Sequence, residues 1–539
     1  MDIDNDLSRI LRSNDAPTPI ETTSIRSEVE IIIGKISLLH AELQGLEEQL
    51  RERQGALSPV RRLPPEILAE IFSSSVEGIL DSEGRDALLD LGLVCKNWRR
   101  ASLGSHRLWA SISVDRHQCN ETSYQKIVAW LNRSGDLPKT FMFDHIDLDY
   151  CECEDHDPAE EPCQMSNPAL IKLLSVGPKL HKLVLRCSSH LCFRTLLENI
   201  GPEPDLMNPR PWDTLQSLEL ELATADSSPW DEPLEASKSL FYHLPQVKSL
   251  ELHIPWSSSA FEGDPSDTKT VALNVPPRLL QGLKAFTLHC DWQGSHILSM
   301  LQHCENLETL GVDFRGEALQ YDEDDVLVHK FTASRLLLPK LHTIRLQYTT
   351  IENTAILDFL RAPSLRNLRL DMEYSHAHQA VEFQKPLLNF IKASNCERTL
   401  QSFHLQNLSL PAMKLAHVLL DLPLLTTVII DHRPLDGETF WRQMHYHALK
   451  SRRNGESPLC LPRLQELQTL YVPVDGRAVV RAVAKFLREN REINDFPCTW
   501  KVSHRTAMPM QAAIEGKLAE LEEYGVSFQI LPLHRWFLD

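Results

Sequence analysis

The chain is 539 residues long, with 55 Lys and Arg against 74 Asp and Glu and a formal net charge of -19. Such a length accommodates two to four domains, and the acidic balance argues against general binding to nucleic acid or anionic membranes. No apolar run approaches the roughly 18 residues of a membrane helix. The opening Met1-Asp2-Ile3-Asp4-Asn5-Asp6 lacks the basic-then-apolar order of a secretory signal. The 12 cysteines are scattered and read as reduced thiols, so a cytoplasmic or nuclear protein is expected.

Residues 1–22, with Pro17, Pro19 and several Asp and Ser, read as a disordered tail. A heptad repeat follows over 23–57. Ile25, Val29, Ile32, Ile36, Leu39, Leu43, Leu46, Leu50 and Leu57 recur in alternating steps of four and three, broken only by Arg53. This helix either lies on the protein's own surface or forms a coiled coil, by self-association or with a partner. Gly34 and Gly45 each cost it roughly 1 kcal/mol. The flanking Glu28, Ile33, Lys35, His40, Glu42 and Glu47 form no complementary charge set.

From Pro59 to Trp109 the chain carries a denser pattern. Leu63-Pro64-Pro65-Glu66-Ile67-Leu68 opens a helix, with proline where the first turn needs no amide hydrogen and Glu66 at the positive end of the dipole. Ile67, Leu68, Ile71 and Phe72 give it an apolar face. Val94-Cys95-Lys96-Asn97-Trp98-Arg99 and Leu108-Trp109 follow. A unit this small makes a poor core by itself.

That order, over 58–114, resembles the F-box in the variant common in fungi. The resemblance implies docking on a Skp-type adaptor and, through it, a cullin ubiquitin ligase. The adaptor-facing surface or its support would be Leu63, Pro64, Ile67, Leu68, Ile71, Val94, Cys95 and Trp98. Two departures stand out. Ser73–Ala87 is longer and more polar than in the compact motif, and His106 stands where family members often have proline before Arg-Leu-Trp.

Residues 115–165 read as an acidic linker. Within it Cys151, Cys153, His156 and Cys163 have soft-donor chemistry suited to zinc. Nine acidic residues crowd them and paired Cys-x-x-Cys knuckles are missing, so no metal ligands are assigned.

Over 166–539 a Leu-x-x-Leu-x-Leu template recurs from Leu180, Leu215, Val247, Leu283, Leu307, Leu341, Leu365, Leu400, Leu425 and, imperfectly, Leu464. Proline often stands two residues ahead, as at Pro178, Pro245, Pro339, Pro363, Pro423 and Pro462. Helical apolar patterns precede several copies, for example 296–303, 355–360, 387–391 and 415–422. Helix, turn and short leucine strand define an irregular leucine-rich repeat. The fold class expected is therefore an α/β solenoid preceded by a small all-α F-box and an N-terminal coiled-coil helix.

Residues alternating with the template leucines would line the open face of the sheet. They include Lys182, Val184, Arg186, Glu219, Glu221, Glu251, His253, Thr287, His289, Asp313, Arg345, Arg369, Asp371, His404 and Gln406. Glu219 is expected beside Glu251 and Arg345 beside Arg369, an acidic patch followed by a basic one. These four are the candidate contacts to an unknown protein target, against the plainer reading of a solvated face. No Walker loop, Rossmann fingerprint, His-Glu-x-x-His helix or Gly-x-Ser-x-Gly elbow occurs. The expectation is a non-enzymatic substrate adaptor without cofactor, nucleic-acid or membrane partner. The alternatives are an interaction scaffold unconnected with ubiquitin and, remotely, a zinc-dependent enzyme at 151–163.

Overall fold

The computed structural model describes residues 7–8, 10–12, 16–76, 78–115, 121–144, 163–201, 209–223, 239–255, 273–315, 321, 324–350, 352–372, 384–407, 412–431, 436–454, 461–472, 477–493, 497–504 and 521–531. Cys151, Cys153 and His156 lie outside them, as do most of residues 1–15. Two compact units are present, Met1–Ser75 with Leu88–Ser105 and Val76–Ala87 with His106–Asp539.

The first unit is helical. Helix α1, Pro19–Leu57, starts four residues before the expected boundary because Thr18 and Glu21 form a capping box ahead of it. None of its side chains is buried. Helix α2 is Pro65–Ser75, α3 is Ser82–Val94, of which Leu88–Val94 belong to this unit, and α4 is Lys96–Gly104. Leu68 and Phe72, one turn apart, are the buried side of α2. α2 packs on α4, with the Phe72 and Trp98 rings 5.1 Å apart.

The second unit is an α/β arrangement around one parallel sheet of 14 strands. In chain order the strands are β1 Ser111–Asp115, β2 Thr140–Asp144, β3 Lys182–Cys187, β4 Ser217–Leu222, β5 Ser249–His253, β6 Ala285–His289 and β7 Thr309–Asp313. Then come β8 Leu336–Leu337, β9 Thr343–Thr349, β10 Leu360–Arg361, β11 Asn367–Met372, β12 Ser402–Gln406 and β13 Thr427–Asp431. The last are β14 Glu466–Val472, β15 Cys498–His504 and β16 Val526–Leu531. β8 and β10 pair only with each other; every other strand neighbours its successor in the chain. Most crossovers carry a helix, and helices of successive crossovers pack side by side. Parallel pairing demands such crossovers, since a tight turn cannot reverse the chain twice.

Each of the ten templates sits on a strand that begins two residues after the template's first residue. The template side chains are buried, for example Leu215, Leu218 and Leu220 or Leu365, Leu368 and Leu370, while the residues between them are partly accessible. Val184, His404 and Gln406 depart from this alternation and are 1%, 7% and 6% exposed.

The sheet begins earlier than the sequence boundary of 166. The stretch read as an acidic linker supplies part of its first layers, Glu121–Asn132 as helix and β2 as strand. Thr-Phe-Met-Phe-Asp at β2 alternates half-buried and buried side chains, but with phenylalanine in place of leucine it falls outside the template. The end of the F-box pattern also joins this unit. Trp109 packs on Trp130 at 4.5 Å, and the Arg133 guanidinium lies over its ring. Among the described residues, no helix is long and apolar enough to cross a membrane.

Candidate functional site

Two surfaces carry the side chains singled out in the sequence. On the first, the helical periodicity of α2 splits its apolar residues into two sets. Leu68 and Phe72 turn inward, whereas Ile67 and Ile71, also one turn apart, are 49% and 48% exposed. Pro64 and Cys95 are exposed and Val94 is 60% exposed; Leu63 and Trp98 are half-buried. The sequence also pointed to Leu68, which the structure buries at 1%, so it supports the surface from beneath. Val60, Leu89 and Leu93 are further exposed apolar residues that the motif did not single out. Fully burying such a side chain is worth roughly 1.5–3 kcal/mol, so these partly exposed apolar residues are candidates for covering by a partner.

Both departures from the compact motif have a local structural account. The long polar segment is mostly the start of α3 and a turn at Gly78, whose φ of 84° suits glycine. The Ser113 amide donates to the Leu80 carbonyl at 2.7 Å, Ser111 Oγ to that of Gly78 at 3.1 Å, and Arg85 to that of Ser113. These bonds stitch the segment to β1. His106 places Nδ1 2.6 Å from the Arg133 carbonyl, a bond that proline could not make.

The second surface is the face of the sheet opposite the template leucines. Parallel register sets Glu219 beside Glu251 and Arg345 beside Arg369, as expected from the spacing. The acidic pair is not bare. Lys182 Nζ lies 2.8 Å from Glu219, and Arg186 bridges Asp144 at 3.2 Å and Glu221 at 3.0 Å. These cations sit on the neighbouring strand, so the cross-strand penalty for like charges is offset sideways.

Glu251 is held differently. Its Oε1 is 3.1 Å from His289 Nε2 and 3.4 Å from His253 Nε2, and the two imidazoles stack 3.7 Å apart at 8°. His289 Nδ1 is 3.0 Å from Asp313 Oδ2 on the next strand. Burial alone would raise the Glu251 carboxyl. Its contacts with His253 and His289, and the charge those rings can carry, prevail and hold it far below the usual carboxylate range. Burial would likewise lower His289, but the Asp313 and Glu251 acceptors raise it to about 9. Further along, His404 stands in register beside Arg369, where burial and that charge push it down to about 3.

The family model described as F-box-like matches residues 60–115. No curated protein matches the chain. An F-box-like domain thus follows helix α1 and precedes an α/β region with a parallel sheet, and the match supports an F-box protein. Such a domain implies binding to a Skp-type adaptor.

Proposed function

We propose that this chain is the substrate-recognition subunit of a Skp-cullin-F-box type ubiquitin ligase. The F-box-like domain at 60–115 docks the adaptor through Pro64, Ile67, Ile71, Val94 and Cys95, with Leu63, Leu68 and Trp98 supporting that surface. Residues 111–531 form an irregular leucine-rich solenoid whose open face takes a protein target, with Glu219, Glu251, Arg345 and Arg369 among the contacts. The observation that carries the reading is the exposed apolar set on α2 and α3 inside the matched segment. The repeat reading rests on ten templates in register with ten strands. F-box domains are typically adaptors rather than enzymes. The chemistry belongs to other subunits, and this chain contributes proximity, raising the effective concentration of a target lysine at the charged ubiquitin carrier. The described cysteines, Cys95, Cys187 and Cys498 among them, are free thiols, in keeping with a reducing cytoplasm or nucleus.

A pull-down of a Skp-type adaptor with the intact chain tests this. The triple variant Ile67→Asp/Ile71→Asp/Val94→Asp alters exposed positions only, so it keeps the wild-type circular dichroism and loses at least tenfold in adaptor binding. Absence of binding by the folded wild-type chain would move the protein to a scaffold without ubiquitin transfer.

A further inference from the structure

The cluster on β5, β6 and β7 brings one carboxylate oxygen against two stacked imidazoles. His253 and His289 occupy equivalent positions on neighbouring strands and are in register. Glu251 lies two residues before His253 and therefore on the same face. The ligand-capable atoms of all three lie within 4.8 Å of one another. A tetrahedral ion with bonds of about 2.0–2.1 Å separates its donors by roughly 3.3 Å. The distances from Glu251 Oε1 to the two Nε2 atoms, 3.1 and 3.4 Å, bracket that value.

Two further observations point the same way. His253 Nε2 is buried at the cluster without a hydrogen-bond partner, its approach to Glu251 being poorly aligned for one. Asp313 accepts from His289 Nδ1 and is itself fixed by the Arg315 amide at 2.8 Å. A carboxylate on Nδ1 is the usual support of a metal-binding histidine, and an ion at Nε2 would displace the proton that His289 shares with Glu251.

We propose that Glu251, His253 and His289 form a site for a divalent transition-metal ion of the zinc class, with Asp313 as the positioning residue for His289. Two imidazoles and one carboxylate suit zinc, cobalt or nickel and disfavour calcium and magnesium, which take all-oxygen shells. Three protein donors leave a fourth position for water or a side chain of a bound protein. The side chains keep between 15% and 33% of their surface accessible, so the ion has a way in. The site goes beyond the adaptor reading and stands whether or not a target docks on this face.

The test is equilibrium dialysis and calorimetry of the intact, untagged chain with Zn2+, together with the visible spectrum of Co2+. To silence the separate cysteine cluster, all measurements use a Cys151→Ser/Cys153→Ser background. One equivalent of Zn2+ is expected, with a cobalt spectrum lacking thiolate charge transfer. His253→Ala/His289→Ala should abolish binding, Glu251→Gln should weaken it at least tenfold, and Asp313→Asn should weaken it about 10–100-fold. Glu251→Gln and Asp313→Asn preserve side-chain shape and serve if the double variant does not fold. No stoichiometric metal on the background chain, or metal retained undiminished by the folded variants, would overturn the proposal.

Discussion

At the scale of single residues, the open sheet face shows how parallel register converts a sequence interval into chemistry. His404 and Arg369 are in register on adjacent strands, and His404 is 7% exposed. Burial, with the Arg369 charge added, depresses its pKa to about 3, whereas in the unfolded chain it titrates near 6.5. The unfolded state therefore binds more protons in the window between those values. Stability is complete above about pH 6.5 and is lost as pH falls toward about 3. From pH 7 to pH 5 the expected loss is on the order of 2 kcal/mol. Urea unfolding of wild type and His404→Phe at both pH values isolates this contribution. The difference in slope should vanish in the variant, and equal slopes would remove His404 as the cause.

Gly311 makes a second argument at this scale. It lies in register between Thr287 and Arg345. A Cβ added there would come 2.9 Å from Thr287 Oγ1 and 3.0 Å from its Cγ2. Gly311→Ala should cost about 1–3 kcal/mol as an overpacked substitution. Thr287→Ala removes the two clashing atoms, so the pair of changes should be markedly less destabilising than the sum. A double-mutant cycle in denaturant measures that coupling.

At the scale of elements, α2 shows why the two sides of one helix must be tested separately. Phe72→Ala empties a site against Trp98 and should destabilise the helical unit by about 3–5 kcal/mol, taking adaptor binding with it through unfolding. Ile71→Asp changes an exposed position, 48% accessible, and should leave the thermal transition within about 0.5 kcal/mol while weakening adaptor binding. Parallel melting and pull-down assays distinguish these outcomes. The sequence pattern marked Ile67, Leu68, Ile71 and Phe72 as one apolar face. It could not divide that face, because burial depends on where α4 arrives.

The strands were legible for a related reason. Leucine at the first, fourth and sixth template positions satisfies both turn and strand burial, so the template marked where ten strands lie without giving their ends. Six strands carry no template: β8 and β10 are two residues long, and β1, β2, β15 and β16 turn other apolar residues inward, among them Ile112, Phe141, Trp500 and Val526. The Glu251–His253–His289 cluster was within reach of the template, since all three alternate with its leucines. What single-strand reading could not supply was that both imidazoles turn toward one carboxylate oxygen. Lys182 and Arg186 were likewise on the expected face, yet their partners across the sheet emerge only when neighbouring strands are placed.

At the scale of the whole molecule, the unexplained apolar surface is that of α1. Val29, Ile36, Leu43 and Leu50 on one heptad seam, and Ile32, Leu39 and Leu46 on the other, are all about half exposed or more. A helix of 39 residues is about 58 Å long, which is ample for a coiled coil, and an apolar seam of that length is stable only when covered. The net charge of -19 keeps such chains apart at large distance, but this repulsion is screened within about 10 Å at moderate salt. Self-association through α1 is therefore expected to strengthen as ionic strength rises. Light scattering after size exclusion should give a dimer or higher oligomer for the intact chain, and a monomer for Leu39→Asp/Leu43→Asp with unchanged circular dichroism in the sheet unit. A monomeric wild-type chain across salt and concentration would leave the seam to a different partner. If the dimer forms, each assembly carries two adaptor surfaces and two sheet faces. A target with two recognition elements would then be bound more tightly than by either face alone, by a factor set by effective concentration rather than by any new contact.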